Sequence, residues 1–185
     1  MTARTPDLSD GIVRLRAFLV GDAVGHLAGE DETTVRFLSG GRSTLAGTRA
    51  WIATHGVEWE AGGPALVLAV EDLADGRLSG MVEARFDVPP AEGVPTGAAN
   101  LSYGLYAAAR GRGLATRSIR LLLGELARRQ VTEAVIRVNP LNTTSVALAR
   151  RLGFGEVASV TTASGERLRV FRSSVGDDLA SSAAH

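Results

Sequence analysis

The segment Arg110-Gly111-Arg112-Gly113-Leu114-Ala115 constrains this chain most, because it joins two runs of different periodicity. Before it, residues 100–106 alternate, with Leu101, Tyr103 and Leu105 on one face, as in a strand. After it, residues 112–129 carry Ala115, Ile119, Leu122 and Leu126 at helical spacing on one face. A helix that starts directly after a strand offers free N–H groups and the positive end of its dipole. Glycines let an anion approach the backbone, and arginines carry donors that match phosphate oxygens. The junction reads as a pyrophosphate cradle. The plainer alternative is an arginine-rich surface turn ahead of an ordinary amphipathic helix. A P-loop is excluded, because no Gly-Lys is followed by Ser or Thr. A dinucleotide fingerprint is disfavoured: Thr116 stands where its third glycine belongs. Glu133 has the spacing of that fingerprint's acid but starts a strand rather than ending one.

The rest of the chain supplies a frame for this junction. Residues 12–18 alternate as a first strand. Residues 22–39 read as two short helices broken near Gly29. A longer helix over 44–60 has Leu45, Trp51, Ile52 and Val57 as apolar candidates, and Gly62-Gly63-Pro64 stops it. The unbroken apolar run 65–70 suits a buried strand. Asp75-Gly76 marks a hairpin turn into a strand over 78–86. Three prolines and two glycines make 88–97 a loop. A strand over 131–138 is broken by Asn139-Pro140. A short helix over 142–151 starts near a capping Asn142 or a nearby Thr and closes at Gly153. Strands over 155–162 and 167–171 flank Ser164-Gly165. Strands and helices in this order predict an α/β (α+β) fold, a mixed sheet with helices on its faces. Residues 173–185, rich in Ser, Ala and Asp, are expected to be a disordered tail.

Composition closes off several classes of function. Twenty basic residues balance twenty acidic ones over 185 residues. No bulk positive charge draws nucleic acid, so no nucleic-acid partner is expected. The absence of cysteine removes disulfides, thiolate catalysis and cysteine metal sites. The three histidines, His26, His55 and His185, do not pair at metal-ligand spacing, and no metal is expected. No apolar run is long enough to span a membrane, and the opening residues lack a signal peptide's apolar core. The expectation is a cytoplasmic protein with no membrane partner. A homodimer is left open.

Further motifs match the loop. Arg110, Gly113 and Ala115 follow, in order, the pattern Gln or Arg, two residues, Gly, one residue, Gly or Ala. Tyr103-Gly104-Leu105-Tyr106 precedes them. Val138-Asn139-Pro140-Leu141-Asn142-Thr143-Thr144-Ser145 leads into Ala149-Arg150-Arg151-Leu152-Gly153-Phe154, an "N-x-x-S … G-F" ending. In these motifs the chain resembles the GNAT superfamily of N-acyltransferases. Its opening Val13-Arg14-Leu15-Arg16, followed by Asp22, is similar to the RimJ/RimL-like branch. The resemblance implies one domain over 1–172, with a mostly antiparallel twisted sheet splayed at an acyl-CoA site and helices on both faces. It implies acetyl-CoA as co-substrate. Main-chain groups of Leu105, Tyr106 and Ala107 would meet the pantetheine. The amides of Arg110, Gly111, Arg112, Gly113, Leu114 and Ala115 would hold the pyrophosphate. Asn142 would contact pantetheine, and Ser145 would lie near the sulfur. Arg150 would reach phosphate or simply face solvent.

The implied reaction is direct attack of a neutral amine on the thioester. It needs a proton acceptor, a donor to the carbonyl oxygen and a hydrogen bond for the departing thiolate. Ser145, at a helix start, suits the last role. Relatives place a Glu on the strand before the loop, but Asn100 stands there and cannot act as a base. Glu83 on the neighbouring strand is the next candidate, and an outward-facing strand residue is the plainer account of it. His55 is read as a surface residue. Glu30-Asp31-Glu32 would attract a cationic amine or form an exposed acidic turn. Trp51 and Trp59 would line an acceptor pocket or fill core. The acceptor is expected to be a small-molecule amine rather than a protein N-terminal amine. A non-catalytic acyl-CoA sensor is the alternative, and RNA binding through the arginines is a third.

Overall fold

A computed structural model describes residues 5–176. They form eight strands: β1 (Leu8–Ser9), β2 (Val13–Arg16), β3 (Ala65–Asp72), β4 (Arg77–Arg85), β5 (Ala99–Leu105), β6 (Glu133–Val138), β7 (Gly155–Thr161) and β8 (Arg167–Ser174). The helices are α1 (Asp22–Gly29), α2 (Glu32–Thr34), α3 (Leu45–Glu60), α4 (Leu114–Arg128) and α5 (Thr143–Arg151). The π-helical turn Val35–Ser39 follows α2 directly. Short 3₁₀ turns lie at Pro90–Glu92 and Ala107–Ala109. Hydrogen-bonded strands follow the order β1-β2-β3-β4-β5-β6-β8-β7. The sheet is mixed and mostly antiparallel. β5 and β6 run parallel, with Asn100 opposite Val135.

The chain groups into two compact units. The first holds residues 1–83 and 103–121. Val13 and Leu15 are fully buried on β2, and Leu66, Leu68, Ala69 and Val70 on β3, as the apolar run 65–70 predicts. Ala65, Val67 and Met81 form a further cluster, against which Phe18 and Trp51 pack. The helix expected over 44–60 appears as α3, capped by the Thr44 hydroxyl, which accepts from Gly47 N at 3.1 Å. Its buried face is Thr48, Ile52 and Trp59, whereas Val57 is exposed. Val57 lies five positions past Ile52, which turns it away from the Thr48–Ile52–Trp59 stripe.

The second unit holds, among the described residues, 84–102 and 122–176. Val94, Ala98, Val135 and Val170 cluster there, with Val88 and Val160 packed against them. β8 runs to Ser174 and pairs that residue with Glu133. The boundary of the expected tail therefore moves past Ser174, and residues 177–185 lie outside those described. β7 is the terminal strand; it is exposed along most of its length, and its register shifts between Glu156 and Ala158.

One boundary of α4 differs from the periodicity. α4 begins at Leu114 rather than 112, because Gly111 and Gly113 take left-handed φ of 74° and 78°. The same helix ends without glycine. Gln130 adopts φ 62° there, and Val131 N donates to Leu126 O at 3.0 Å.

One ion cluster ties the start of the first unit together. Arg16 Nη1 and Nη2 donate to Asp22 at 2.7 and 3.1 Å, and its Nε donates to Glu71 Oε2 at 2.7 Å. Asp22 also accepts from Leu19 N at 2.7 Å. Burial alone would raise the Asp22 carboxyl, but Arg16 and the Leu19 N–H outweigh it and hold the pKa below normal. Arg16→Met should leave Asp22 and Glu71 without their shared cation and destabilise the fold by about 2 kcal/mol. Urea unfolding measures this, and an unchanged midpoint would show that the cluster contributes nothing net.

Candidate functional site

The junction singled out by the sequence sits where β5 ends. Tyr106 N donates to Ser79 O of β4 at 2.9 Å. The chain then makes the Ala107–Ala109 turn, passes Arg110 in an extended conformation, and enters α4 through Gly111 and Gly113. The first helical bond here is donated by Arg117 N to Gly113 O at 3.3 Å. The amides of Leu114, Ala115 and Thr116 precede it and form the open N-terminal turn of a helix. A Cβ added at Gly111 or Gly113 would meet nothing within 4 Å. Space therefore lies beside a backbone that exposes donors, and these features together fit an anion.

The arginine side chains are placed differently from the expectation that both serve as phosphate donors. Arg110 donates from Nη1 and Nη2 to Asp31 at 2.5 and 3.0 Å, and from Nε to Leu105 O at 2.9 Å. Arg112 Nη1 lies 2.6 Å from Oδ2 of the buried Asp72. Both guanidinium groups are thus matched by carboxylates of the same unit, and the donors left at the start of α4 are main-chain amides. Leu105 O, expected to face pantetheine, already accepts from Arg110. The acidic run is also engaged. Glu30 accepts from Ser43 N at 2.9 Å and Ser43 Oγ at 2.8 Å, and Asp31 caps α2 by accepting from Thr34 N at 2.9 Å. The Arg110 guanidinium and the Thr34 N–H hold the Asp31 carboxyl far below the usual range.

Close packing fixes the approach to the cradle. A Cβ on Gly80 would overlap Gly104 O and lie 2.9 Å from Leu105 Cα, so only glycine lets β4 run this near the end of β5. A Cβ on Gly29 would overlap the Tyr106 ring. Tyr106 Oη and His26 Nδ1 lie 2.7 Å apart and share a hydrogen bond. His26 stacks on Trp51, with ring centroids 5.3 Å apart, and meets Phe18 edge-on at 5.2 Å. His55, read from sequence as a surface residue, is half-buried against Trp51 and bonds Trp51 O at 2.9 Å. Trp59 is core and Trp51 is half-buried. Sequence reasoning missed His26. Its helical spacing to Gly29, three residues on, was the available signal.

Glu83 is half-buried on β4. In the second unit, Asn142 caps α5, its Oδ1 accepting from Ser145 N at 3.1 Å. That cap engages the Asn142 oxygen. Ser145 is half-buried in the first turn of α5. Asn100 is buried, and its Oδ1 accepts from Arg137 Nε at 3.0 Å. Arg137 Nη1 also donates to Glu92. Asn100 is thereby tied to a cation already paired with a carboxylate. Arg150 lies 3.6 Å from Glu156 and is exposed, as a solvated helix face would be.

The model of the acetyltransferase (GNAT) domain family matches residues 13–155. The chain belongs to the GNAT acetyltransferase family. No curated protein matches it significantly by sequence. Among solved structures, this GNAT chain is similar to RimL, the ribosomal L7/L12 α-N-protein acetyltransferase, in complex with coenzyme A. That match has 19% identity and a TM-score of 0.76, covering 95% of this chain and 100% of that one. It is also similar to a ribosomal-protein-S5-alanine acetyltransferase from Vibrio fischeri, at 17% identity and TM-score 0.75 over 93% and 98% of the two chains. An aminoglycoside acetyltransferase in complex with coenzyme A matches at 20% identity and TM-score 0.73, over 88% and 94%. These likenesses agree with the α/β fold that the motifs suggest. No helix among the described residues is long and apolar enough to cross a membrane.

His26 gives this GNAT fold a pH signature. Burial holds its pKa below the usual 6.5, against the upward pull of Glu30 and Asp22. The unfolded chain takes up the proton first as pH falls, so stability should drop below 6.5 and level off once the folded form is also protonated. The depressed carboxylates Asp10, Asp22, Glu30 and Asp31 lose their contribution only at lower pH. Urea midpoints compared between about pH 7.5 and about pH 5.5 should fall less for His26→Gln than for the wild type. Equal falls would show that His26 binds its proton equally in both states.

Proposed function

We propose that this chain transfers an acetyl group from acetyl-CoA to a primary amine of a small molecule, by direct attack of the amine on the thioester. The observation that carries the reading is the open first turn of α4 behind two left-handed glycines, directly after β5. The amides of Gly111, Arg112, Gly113, Leu114 and Ala115 are assigned the pyrophosphate; the Arg110 amide, expected with them, donates to Ala107 O at 3.3 Å. Main-chain groups of Leu105, Tyr106 and Ala107, with Asn142, are assigned the pantetheine. Family membership supports the donor, and the coenzyme A held by RimL and by the aminoglycoside acetyltransferase supports it further.

The chain's own groups divide the chemistry. As the tetrahedral centre forms, charge gathers on the thioester oxygen and then on the departing sulfur. Ser145 is assigned a hydrogen bond to that sulfur on the strength of the family motif, helped by its place in the first turn of α5. Glu83 is assigned the amine's proton: it is half-buried and carries the carboxylate that Asn100 lacks. Arg137 claims the Asn100 amide oxygen, which supports a positional role for Asn100. A small-molecule acceptor is favoured by the half-buried aromatic group of Phe18, Trp51 and Tyr106 in the unit that holds the cradle, and by the likeness to the aminoglycoside enzyme. The reading sets the reaction in the cytoplasm.

Gly113→Val separates function from folding here. A Cβ has room at that position, so the substitution strains only φ, costing about 1–2 kcal/mol of stability. Calorimetry should show acetyl-CoA affinity falling at least ~10-fold, because the valine branch crowds the amides. Unchanged affinity in a folded variant would sink the pyrophosphate assignment. Thiol release with a panel of small amines tests the acceptor. Tight coenzyme binding without turnover on any amine, protein N-termini included, would instead mark a sensor.

A further inference from the structure

The Arg110 side chain does not reach out from the loop. Its Nε donates to Leu105 O at 2.9 Å across the Ala107–Ala109 turn, and its two terminal nitrogens grip Asp31 at 2.5 and 3.0 Å. Asp31 is itself fixed. Its Oδ1 caps α2 through Thr34 N at 2.9 Å and also accepts from Thr34 Oγ1 at 3.0 Å. The π-helical turn that continues α2 leans on the same strand end, because a Cβ on Gly104 would come within 2.8 Å of Leu38 Cδ2. The α2 segment therefore holds the loop at one point through charge and the strand end at another through packing.

We infer that Arg110 is a positioning residue, not an anion ligand: through Asp31 and Leu105 O it sets the entry angle of the loop whose amides face the coenzyme. This rests on the proposed coenzyme reading for its last step only. A bidentate Arg–carboxylate pair fixes direction as well as distance, which suits it to aligning a backbone. Asparagine caps a helix as well as aspartate does. Asp31→Asn therefore keeps the α2 cap and removes only the charge that Arg110 grips.

Calorimetric titration of coenzyme A into the wild type, Asp31→Asn, Asp31→Glu, Arg110→Gln and the Asp31→Asn/Arg110→Gln double variant provides the test. Hydrogen exchange of the ligand-free proteins runs alongside, read at the Ala109, Arg110 and Arg117 amides, which bond to Tyr106, Ala107 and Gly113. Asp31→Asn and Arg110→Gln should each weaken coenzyme binding ~10-fold, with the double variant no weaker than either. Asp31→Glu, which keeps the carboxylate, should recover part of the loss. Exchange at the three amides should quicken in the two single variants. The inference is overturned if Asp31→Asn binds coenzyme A as tightly as the wild type or tighter while Arg110→Gln weakens it, since Arg110 would then be a phosphate ligand that Asp31 restrains. Unchanged exchange in Asp31→Asn overturns it equally. If the wild type itself does not bind coenzyme A but exchange still quickens in Asp31→Asn, the coenzyme reading falls and the positioning role stands.

Discussion

The parallel pairing of β5 with β6 is the constraint from which the rest follows. Two parallel neighbours cannot be joined by a hairpin, so the chain must return along a crossover, and here it does so through α4. That return delivers the N-terminus of a helix to the carboxyl end of a strand. Unsatisfied amides and a positive dipole end are then present by topology, before any side chain is chosen. The glycines at 111 and 113 add the backbone freedom that keeps this turn open.

Around that turn the molecule spends its charges on itself. Arg110, Arg112 and Arg117 each meet a carboxylate drawn from a distant stretch of the first unit: Asp31, Asp72 and Asp10. Two arginines whose side chains match phosphate oxygens in the sequence are paired with carboxylates in the fold. Such pairs need not add much net stability, since the desolvation of half-buried ions offsets much of their attraction. Each pair joins the loop or the start of α4 to a different stretch of the chain.

Much of this was legible in the sequence. The run 65–70, the 3.6-residue period of α4 and the cap near Asn142 are local signals, and each produced the predicted element. Pairing partners were not legible. Nothing near Arg110 announces Asp31, which lies far upstream, and nothing near Tyr106 announces the His26 ring. Periodicity placed the end of α4 to within a residue, but backbone chemistry overrode it at Gly113, which holds back the start; Gln130 then ends the helix in a conformation usually left to glycine. Val57 is an apolar candidate by type, and one step of helical phase exposes it.

The two ends of the strand order bear on the protein's behaviour in a crowded solution. A terminal strand carries a row of donors and acceptors that another chain could extend, the first step towards polymerisation. At one end β1 is only two residues long, too short to template a neighbour. At the other, β7 is longer, but its register slips at Val157, which breaks the even ladder a newcomer would need. The Glu156 side chain beside that slip, paired with Arg169, places charge on the same rim. The irregularity in β7 thus acts as a guard on the sheet, keeping its growth from outlasting the chain.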